Sequence, residues 1–237
     1  MNSHCDMNSD MPDRRGHGFL IGLFAGTFGG VPLAVVWLAV AILAGLRGAR
    51  SSWFAAGSAD ATRVLGGEWW RVLTALTLHA DGSHLLNNVL ATTFLGTALG
   101  RVMGPGVASV AMVLTGATGN FVNAWMHGAH HDSVGASTAV FGAVGTLAGL
   151  SAAQVHGLRS ARRGAWLPIA AGLALLALFG TAERSDHGAH LFGFLAGIVV
   201  GAGLGLVRPW LPGPRWQPLL TAAAVGAIAA AWARALH

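Results

Sequence analysis

The sequence predicts an all-α membrane protein that crosses the bilayer several times. Of its 237 residues, 54% are hydrophobic and only 10% are charged, and the mean hydropathy is +0.58. A soluble domain carries about 25% charged residues, so this chain lacks the polar surface that a soluble globule needs. Disorder is excluded as well, because it requires low hydrophobicity and high net charge.

Seven mainly apolar runs follow one another along the chain, and each can supply the about 20 residues that a helical span requires. Their bounds are Arg15–Arg47, His84–Gly100, Arg101–Asp132, Asp132–Arg159, Arg163–Glu183, Asp186–Arg208 and Arg215–Arg234. They predict a tail at 1–16, a first helix at 17–46, an outer and partly embedded loop at 47–83, a core of helices two to six at 84–207, and a linker with a seventh helix at 208–237. The first run is about twice as long as the apolar part of a signal peptide, which disfavours cleavage.

The placement of arginine predicts a cytoplasmic N-terminus. All 14 basic residues are arginines, and cytoplasmic segments of membrane proteins are enriched in basic residues. With the N-terminus inside, eight arginines lie in inner segments, two in short outer segments and four in the long first loop. Within that loop, Arg47 and Arg50 are exceptions, because they lie on the predicted outer side. The arginines form no basic patch, so nucleic acid is not an expected partner.

Three of the predicted helices carry polar residues at a similar depth. In this topology the second, fourth and sixth runs all begin at the outer face, with His84 and Asn88, Ser137 and His190 in their first turns. At about 1.5 Å per residue, Ser137 and His190 both lie roughly 6–8 Å below the outer ends of their runs. Ionisable residues inside a bilayer are costly, which indicates a functional site.

This set of side chains suits acyl transfer. A serine hydroxyl needs a base to become nucleophilic, and the imidazole of His190 can supply it. His84 and Asn88 are four residues apart, so they share a helix face and can both donate to an oxyanion. The backbone N–H of Ser137, at a helix start, can join them. Asp186 lies one turn before His190 and either caps that helix or orients the imidazole.

Four motifs containing these residues follow one another along the chain. They are Trp70-Arg71 in the first loop, His79, His84 and Asn88 around the start of the second run, Gly135-Ala136-Ser137-Thr138 at the start of the fourth, and Ala189-His190 followed by Gly193 and Gly197 in the sixth. Together they resemble the motifs of the rhomboid family of intramembrane serine proteases, over roughly Glu68 to Gly205. The resemblance implies a rhomboid-like six-helix bundle with one extra helix at its C-terminal end.

The resemblance also implies roles and surroundings. Ser137 would be the nucleophile, His190 the base, and His84 with Asn88 the oxyanion donors, without a metal or cofactor. The substrates would be transmembrane proteins, and the chain would be a multi-pass protein of the bacterial cytoplasmic membrane. Gly135, Trp70, Arg71, Gly193 and Gly197 would support the site, the last two by letting another helix approach closely. The resemblance implies no oligomeric state.

Three positions depart from the family pattern. Gly100 stands where many relatives carry a glutamate at the inner end of the second helix, so one polar anchor of the first loop is missing. The other two departures lie close to the nucleophile. Thr138 replaces the glycine that usually follows the serine, and its branched side chain is expected beside the nucleophile. Phe141 takes the place where many relatives carry a tyrosine that stacks on the catalytic imidazole, and a phenyl ring can stack in the same way.

Other interpretations have distinct sequence marks. A catalytically inactive rhomboid-like protein that binds membrane clients would be expected to lack the serine or the histidine. A transporter would show a repeated half or several buried acids. A zinc site is an alternative for the residues His127, His130, His131 and Asp132, although a solvated loop is favoured. The absence of an HExxH motif disfavours a metalloprotease, and the single Cys5 excludes an internal disulfide.

Overall fold

The computed structural model describes residues 29–46, 51–128, 131–153, 170 and 186–237. In chain order its elements are α1 (Val31–Ala44), α2 (Ser52–Gly57), β1 (Ala59–Asp60), α3 (Ala61–Leu65), α4 (Arg71–Thr74), a 3-10 turn (Ala75–Thr77), α5 (Gly82–Met103), α6 (Pro105–His127), β2 (Asp132–Ser133), α7 (Ser137–Ala153), α8 (His187–Leu206), two short 3-10 turns (Arg208–Trp210 and Pro214–Trp216) and α9 (Gln217–Ala235). The predicted all-α architecture is confirmed. The tail at 1–16 and, apart from residue 170, the fifth run lie outside the described residues.

The long helices have the length and the surface that a bilayer requires. Within the residues that the structure describes, three stretches are long and apolar enough to span it, namely Pro105–His127, His187–Leu206 and Pro214–Ala235. Helix α5 has 22 residues but carries several polar side chains. Helix α1, at Val31–Ala44, lies within the predicted first helix at 17–46, of which residues 17–28 are outside the described part of the chain. Large apolar side chains such as Ile42, Phe94 and Val199 point outwards and are mostly exposed, as lipid-facing residues are.

Helices α7 and α8 pack against each other with almost no space between their backbones. A Cβ atom added at Gly193 would collide with the carbonyl oxygen of Thr138, and one added at Gly197 would collide with that of Gly142. Small residues permit such close approach between helices in lipid. The contact brings the N-terminal end of α7 next to the N-terminal end of α8.

The first loop, from α2 to the 3-10 turn at 75–77, is folded and tied to the bundle. Its strand β1 pairs antiparallel with β2, just before α7. Arg71 is 2% exposed and donates hydrogen bonds to the carboxylate of Glu68 and to the carbonyl oxygens of Ser58 and Ala55. A buried guanidinium satisfied in this way holds three parts of the loop together.

The seventh helix, α9, is packed against the bundle rather than set apart from it. At the N-terminal end of α9, the side chain of Gln217 is buried and accepts hydrogen bonds from the backbone N–H groups of Gly106 and Val107. These two N–H groups lie in the first turn of α6 and have no partner within that helix. Further along, Ile228 and Trp232 lie in the main hydrophobic core. This helix therefore contributes to the same core as α1, α5 and α6.

Candidate active site

Ser137 and His190 meet at the contact between α7 and α8. Ser137 is the first residue of α7, and His190 lies in the first turn of α8. The distance from Ser137 Oγ to His190 Nε2 is 2.8 Å, which is the distance of a good hydrogen bond. The imidazole is 6% exposed, so the pair is close to the surface of the bundle but shielded from bulk water. A hydroxyl and a base in this relation can generate a nucleophile.

The ring of Phe141 holds the imidazole from one face. Phe141 lies one turn after Ser137 on α7, and its ring stacks on that of His190 with centroids 4.5 Å apart and planes 25° from parallel. The phenyl ring thus makes the stacking contact expected at this position. Stacking restricts rotation of the imidazole and keeps Nε2 directed towards the serine.

Asp186 fixes the start of the helix that carries His190. Its Oδ1 accepts a hydrogen bond from the backbone N–H of Ala189, so of the two roles left open by the sequence the structure shows the helix cap. Its Oδ2 accepts a hydrogen bond from Asn123 and lies 2.8 Å from His131 Nε2. Burial raises the pKa of Asp186, but the hydrogen bonds from Ala189, Ser133 and His131 outweigh that effect and leave the pKa below its usual value.

His84 and Asn88 line the space next to Gly135, two residues before the serine. Asp81 caps α5 by accepting the N–H of His84. Gly135 has a φ of +124°, and a Cβ there would collide with the ring of His84 and lie against the amide of Asn88. Only glycine fits this conformation and this space. The buried amide nitrogen of Asn88 has no hydrogen-bond partner within the described part of the chain, so it is a donor available for a ligand.

His79 supports this side of the site, a role that the sequence did not indicate. It is fully buried and donates its Nδ1–H to the carbonyl oxygen of Thr77, and its ring contacts that of His84 edge to face with centroids 5.3 Å apart. Burial, and then the charge of His84, lower the pKa of His79 to about 4. The ring is therefore neutral near pH 7 and limits the positions that His84 can take.

Thr138 lies at a helix interface. Its hydroxyl donates to the side-chain oxygen of Asn120 on α6, and the amide of Asn120 donates to the carbonyl oxygen of Val72 in the first loop. Its methyl group packs against the backbones of Gly119 and Gly193. The branched side chain, which the sequence placed beside the nucleophile, thus fills space between α6, α7 and α8.

The histidines of the predicted loop cluster contact the helix cap. His127 and His131 stack with centroids 4.5 Å apart, and His131 reaches the carboxylate of Asp186. His130 lies outside the described residues. Among the residues that the structure describes, no three His, Cys, Asp or Glu side chains converge as metal ligands would.

A family model and several curated proteins are similar to this chain. The model of the family described as Rhomboid domain matches residues 66–206. Rhomboid protease GluP of Bacillus subtilis is 33% identical over 177 residues, which cover 72% of this chain and 33% of that protein. Putative rhomboid protease YdcA of the same organism is 35% identical over 82 residues, covering 35% of this chain and 41% of the relative.

A plant relative is similar over much of the same region. RHOMBOID-like protein 1 of Arabidopsis thaliana is 32% identical over 143 residues, covering 60% of this chain and 36% of that protein. The matches to these three curated relatives span between a third and about two fifths of their lengths.

Proposed function

Because this chain belongs to the rhomboid family of integral membrane proteins, we propose that it is an intramembrane serine endopeptidase with Ser137 and His190 as its catalytic dyad. The observation that carries the proposal is the 2.8 Å contact between Ser137 Oγ and His190 Nε2. The two bacterial relatives, whose names describe a protease and a putative protease, support the same activity.

The proposed reaction begins with proton transfer within the dyad. His190 Nε2 takes the proton from Ser137 Oγ as the oxygen attacks the carbonyl carbon of the scissile peptide bond. The tetrahedral intermediate collapses when His190 returns the proton to the leaving amine, which leaves an acyl-enzyme on the serine. A water molecule, activated by the same imidazole, then hydrolyses the ester and restores the dyad.

The negative charge of the intermediate is met by donors around Gly135. In this proposal the amide nitrogen of Asn88, a ring nitrogen of His84 and the backbone N–H of Ser137 all donate to the oxyanion. Ser137 begins α7, so the positive end of the helix dipole favours negative charge there. Because the Asn88 amide nitrogen has no partner among the residues that the structure describes, no hydrogen bond to those residues must be broken when the charge develops. A donor that is free before the charge develops meets the condition for electrostatic preorganisation.

The proposed substrates are transmembrane proteins cut within or near their spans. The dyad lies at the outer-facing ends of α7 and α8 in the orientation that the arginines favour, below the surface of a bundle whose outward faces suit lipid. We accordingly propose a multi-pass protein of the bacterial cytoplasmic membrane with its N-terminus in the cytoplasm.

The direct test is cleavage of a transmembrane substrate by the purified protein in liposomes. A panel of single-span proteins with helix-destabilising residues near the outer end of the span should yield defined fragments with the wild type and none with Ser137→Ala. Equal cleavage by both proteins would contradict the dyad. A folded wild type that cleaves nothing but retains clients on pull-down would support the alternative, a catalytically inactive rhomboid-like protein.

A further inference from the structure

The seventh helix reaches the catalytic side of the bundle through Trp232. This residue lies near the C-terminal end of α9 and is 7% exposed. Its indole N–H donates a 3.0 Å hydrogen bond to the hydroxyl oxygen of Thr77, which is fully buried. The Thr77 hydroxyl in turn donates to the carbonyl oxygen of Thr74 at 2.7 Å. Both the donor and an acceptor site of this hydroxyl are therefore occupied, so its orientation is fixed.

The first loop closes over the same indole. The ring of Trp53 lies with its centroid 4.7 Å from that of Trp232, and Gly57 packs so closely on the Trp232 ring that a Cβ there would collide with it. The guanidinium of Arg234 lies 4.4 Å above the ring of Trp70, a cation–π distance. The C-terminal end of α9 thus contacts the first loop at Trp53, Gly57 and Trp70.

The 3-10 turn at Ala75–Thr77 connects the C-terminal end of α9 to the site. The carbonyl oxygen of Ala75 accepts the backbone N–H of Gly135 at 2.9 Å, which fixes the segment that precedes the nucleophile. The carbonyl oxygen of Thr77 holds the ring of His79, and that ring contacts His84. One short turn therefore bonds to Trp232 on one side and supports both walls of the oxyanion site on the other.

We propose that Trp232 is a positioning residue, through which the seventh helix sets the placement of Gly135 and His84 by holding the turn at Ala75–Thr77. The inference rests on the proposed function, because the placement matters only if an oxyanion forms there. Trp232 does not touch the reacting atoms. Its effect is transmitted through a continuous set of hydrogen bonds and ring contacts, and small misplacements of catalytic groups have large effects on rate.

The test compares Trp232→Phe, which removes the N–H donor and keeps an aromatic ring, with the wild type. We expect kcat for a cleaved transmembrane substrate, and the rate at which a fluorophosphonate labels Ser137, to fall about tenfold. KM should stay within about twofold, because no substrate contact is lost. Trp210→Phe is the matched control, since Trp210 is exposed in the linker before α9, and it should behave as the wild type does.

Thr77 variants keep the test decisive if Trp232→Phe does not fold. Thr77→Ser retains the hydroxyl and should keep the wild-type labelling rate. In Thr77→Val, which has no hydroxyl, the labelling rate should fall about tenfold. The double variant of Trp232→Phe and Thr77→Val should be no slower than Thr77→Val alone, because Thr77→Val already removes the hydrogen bond that Trp232→Phe removes.

Two results would overturn the inference, and they differ from failure of the proposed function. Wild-type kcat and labelling in Trp232→Phe or Thr77→Val, with only a lower melting temperature, would make the contact purely structural. A rise in KM at constant kcat would assign α9 to substrate binding instead. If the wild type itself is never labelled at Ser137, the proposed function fails, and the inference fails with it.

Discussion

Replacing Asn88 with alanine should slow turnover without weakening the fold. The amide nitrogen of Asn88 is buried and has no hydrogen-bond partner in the described part of the protein. Truncation at this nitrogen therefore removes no existing hydrogen bond from the resting protein, and it relieves a buried unsatisfied donor. In the proposed transition state the same nitrogen donates to the oxyanion, so its removal raises the free energy of the transition state and not that of the resting protein.

The size of the effect follows from the other donors in the site. Removing one oxyanion donor from a serine protease costs on the order of 10²–10³ in kcat. Here His84 and the backbone N–H of Ser137 remain next to Gly135, so we expect a smaller loss, of about 10–10². That range corresponds to about 1.4–2.7 kcal/mol of transition-state stabilisation.

The assay measures kcat, KM and the melting temperature of Asn88→Ala in the same liposomes and detergent as the wild type. The matched control is Asn87→Ala, because Asn87 is the preceding residue on α5 and is exposed. Asn88→Ala should lower kcat alone, and Asn87→Ala should change none of the three quantities. If Asn88→Ala instead lowers the melting temperature, or reduces binding and turnover equally, the residue is structural and the reasoning is refuted.

Three further predictions concern other parts of the protein. Thr138→Gly should lower the melting temperature by several degrees, because it removes the hydrogen bond to Asn120 and the methyl packing between helices, while Thr138→Ser should recover part of the loss; an unchanged melting temperature would show that the interface contact is unimportant. The protein should lose stability as the pH falls from about 6.5 towards 4, because burial lowers the pKa of His79 to about 4 from its usual 6.5, so that the unfolded chain binds a proton that the folded chain does not. The melting temperature should fall less between pH 7 and pH 5 in His79→Gln than in the wild type. An equal fall in both proteins would contradict the role of His79 in this loss of stability. A reporter enzyme that works only outside the cytoplasm should be active when fused after His237, because seven spans with the N-terminus inside place that end outside. Activity of a reporter that works only in the cytoplasm would reverse the topology.

The parts of the site that the sequence could predict are those with a local signature. Ser137 and His190 lie in short motifs at helix starts, and the small residues beside them, such as Gly193, indicate a helix contact. Both signals come from a few neighbouring residues. The structure brings the two side chains to hydrogen-bonding distance through the close packing that the glycines permit.

The remaining features depend on partners that are distant in the chain. Thr138 bonds to Asn120 on a different helix, and nothing near Thr138 in the sequence indicates that its side chain turns towards α6. Trp232 bonds to Thr77 across 155 positions, and a tryptophan near the end of an apolar run is equally typical of a membrane interface. The position of Asp186, one turn before His190, favours a helix cap over a contact with the imidazole, and the hydrogen bond from Ala189 shows the cap.

The most direct test of the dyad is covalent labelling by a fluorophosphonate, followed by identification of the modified residue. In the wild type the probe should modify Ser137, because in the proposed dyad His190, 2.8 Å away, removes the proton of the Ser137 hydroxyl. Labelling should be absent in Ser137→Ala and should fall sharply in His190→Ala, and the two substitutions together should reduce substrate cleavage little more than either alone, as for residues that act as one unit. Wild-type protein that remains folded, is not labelled at Ser137 and cleaves substrates no faster than Ser137→Ala would contradict the proposed protease activity.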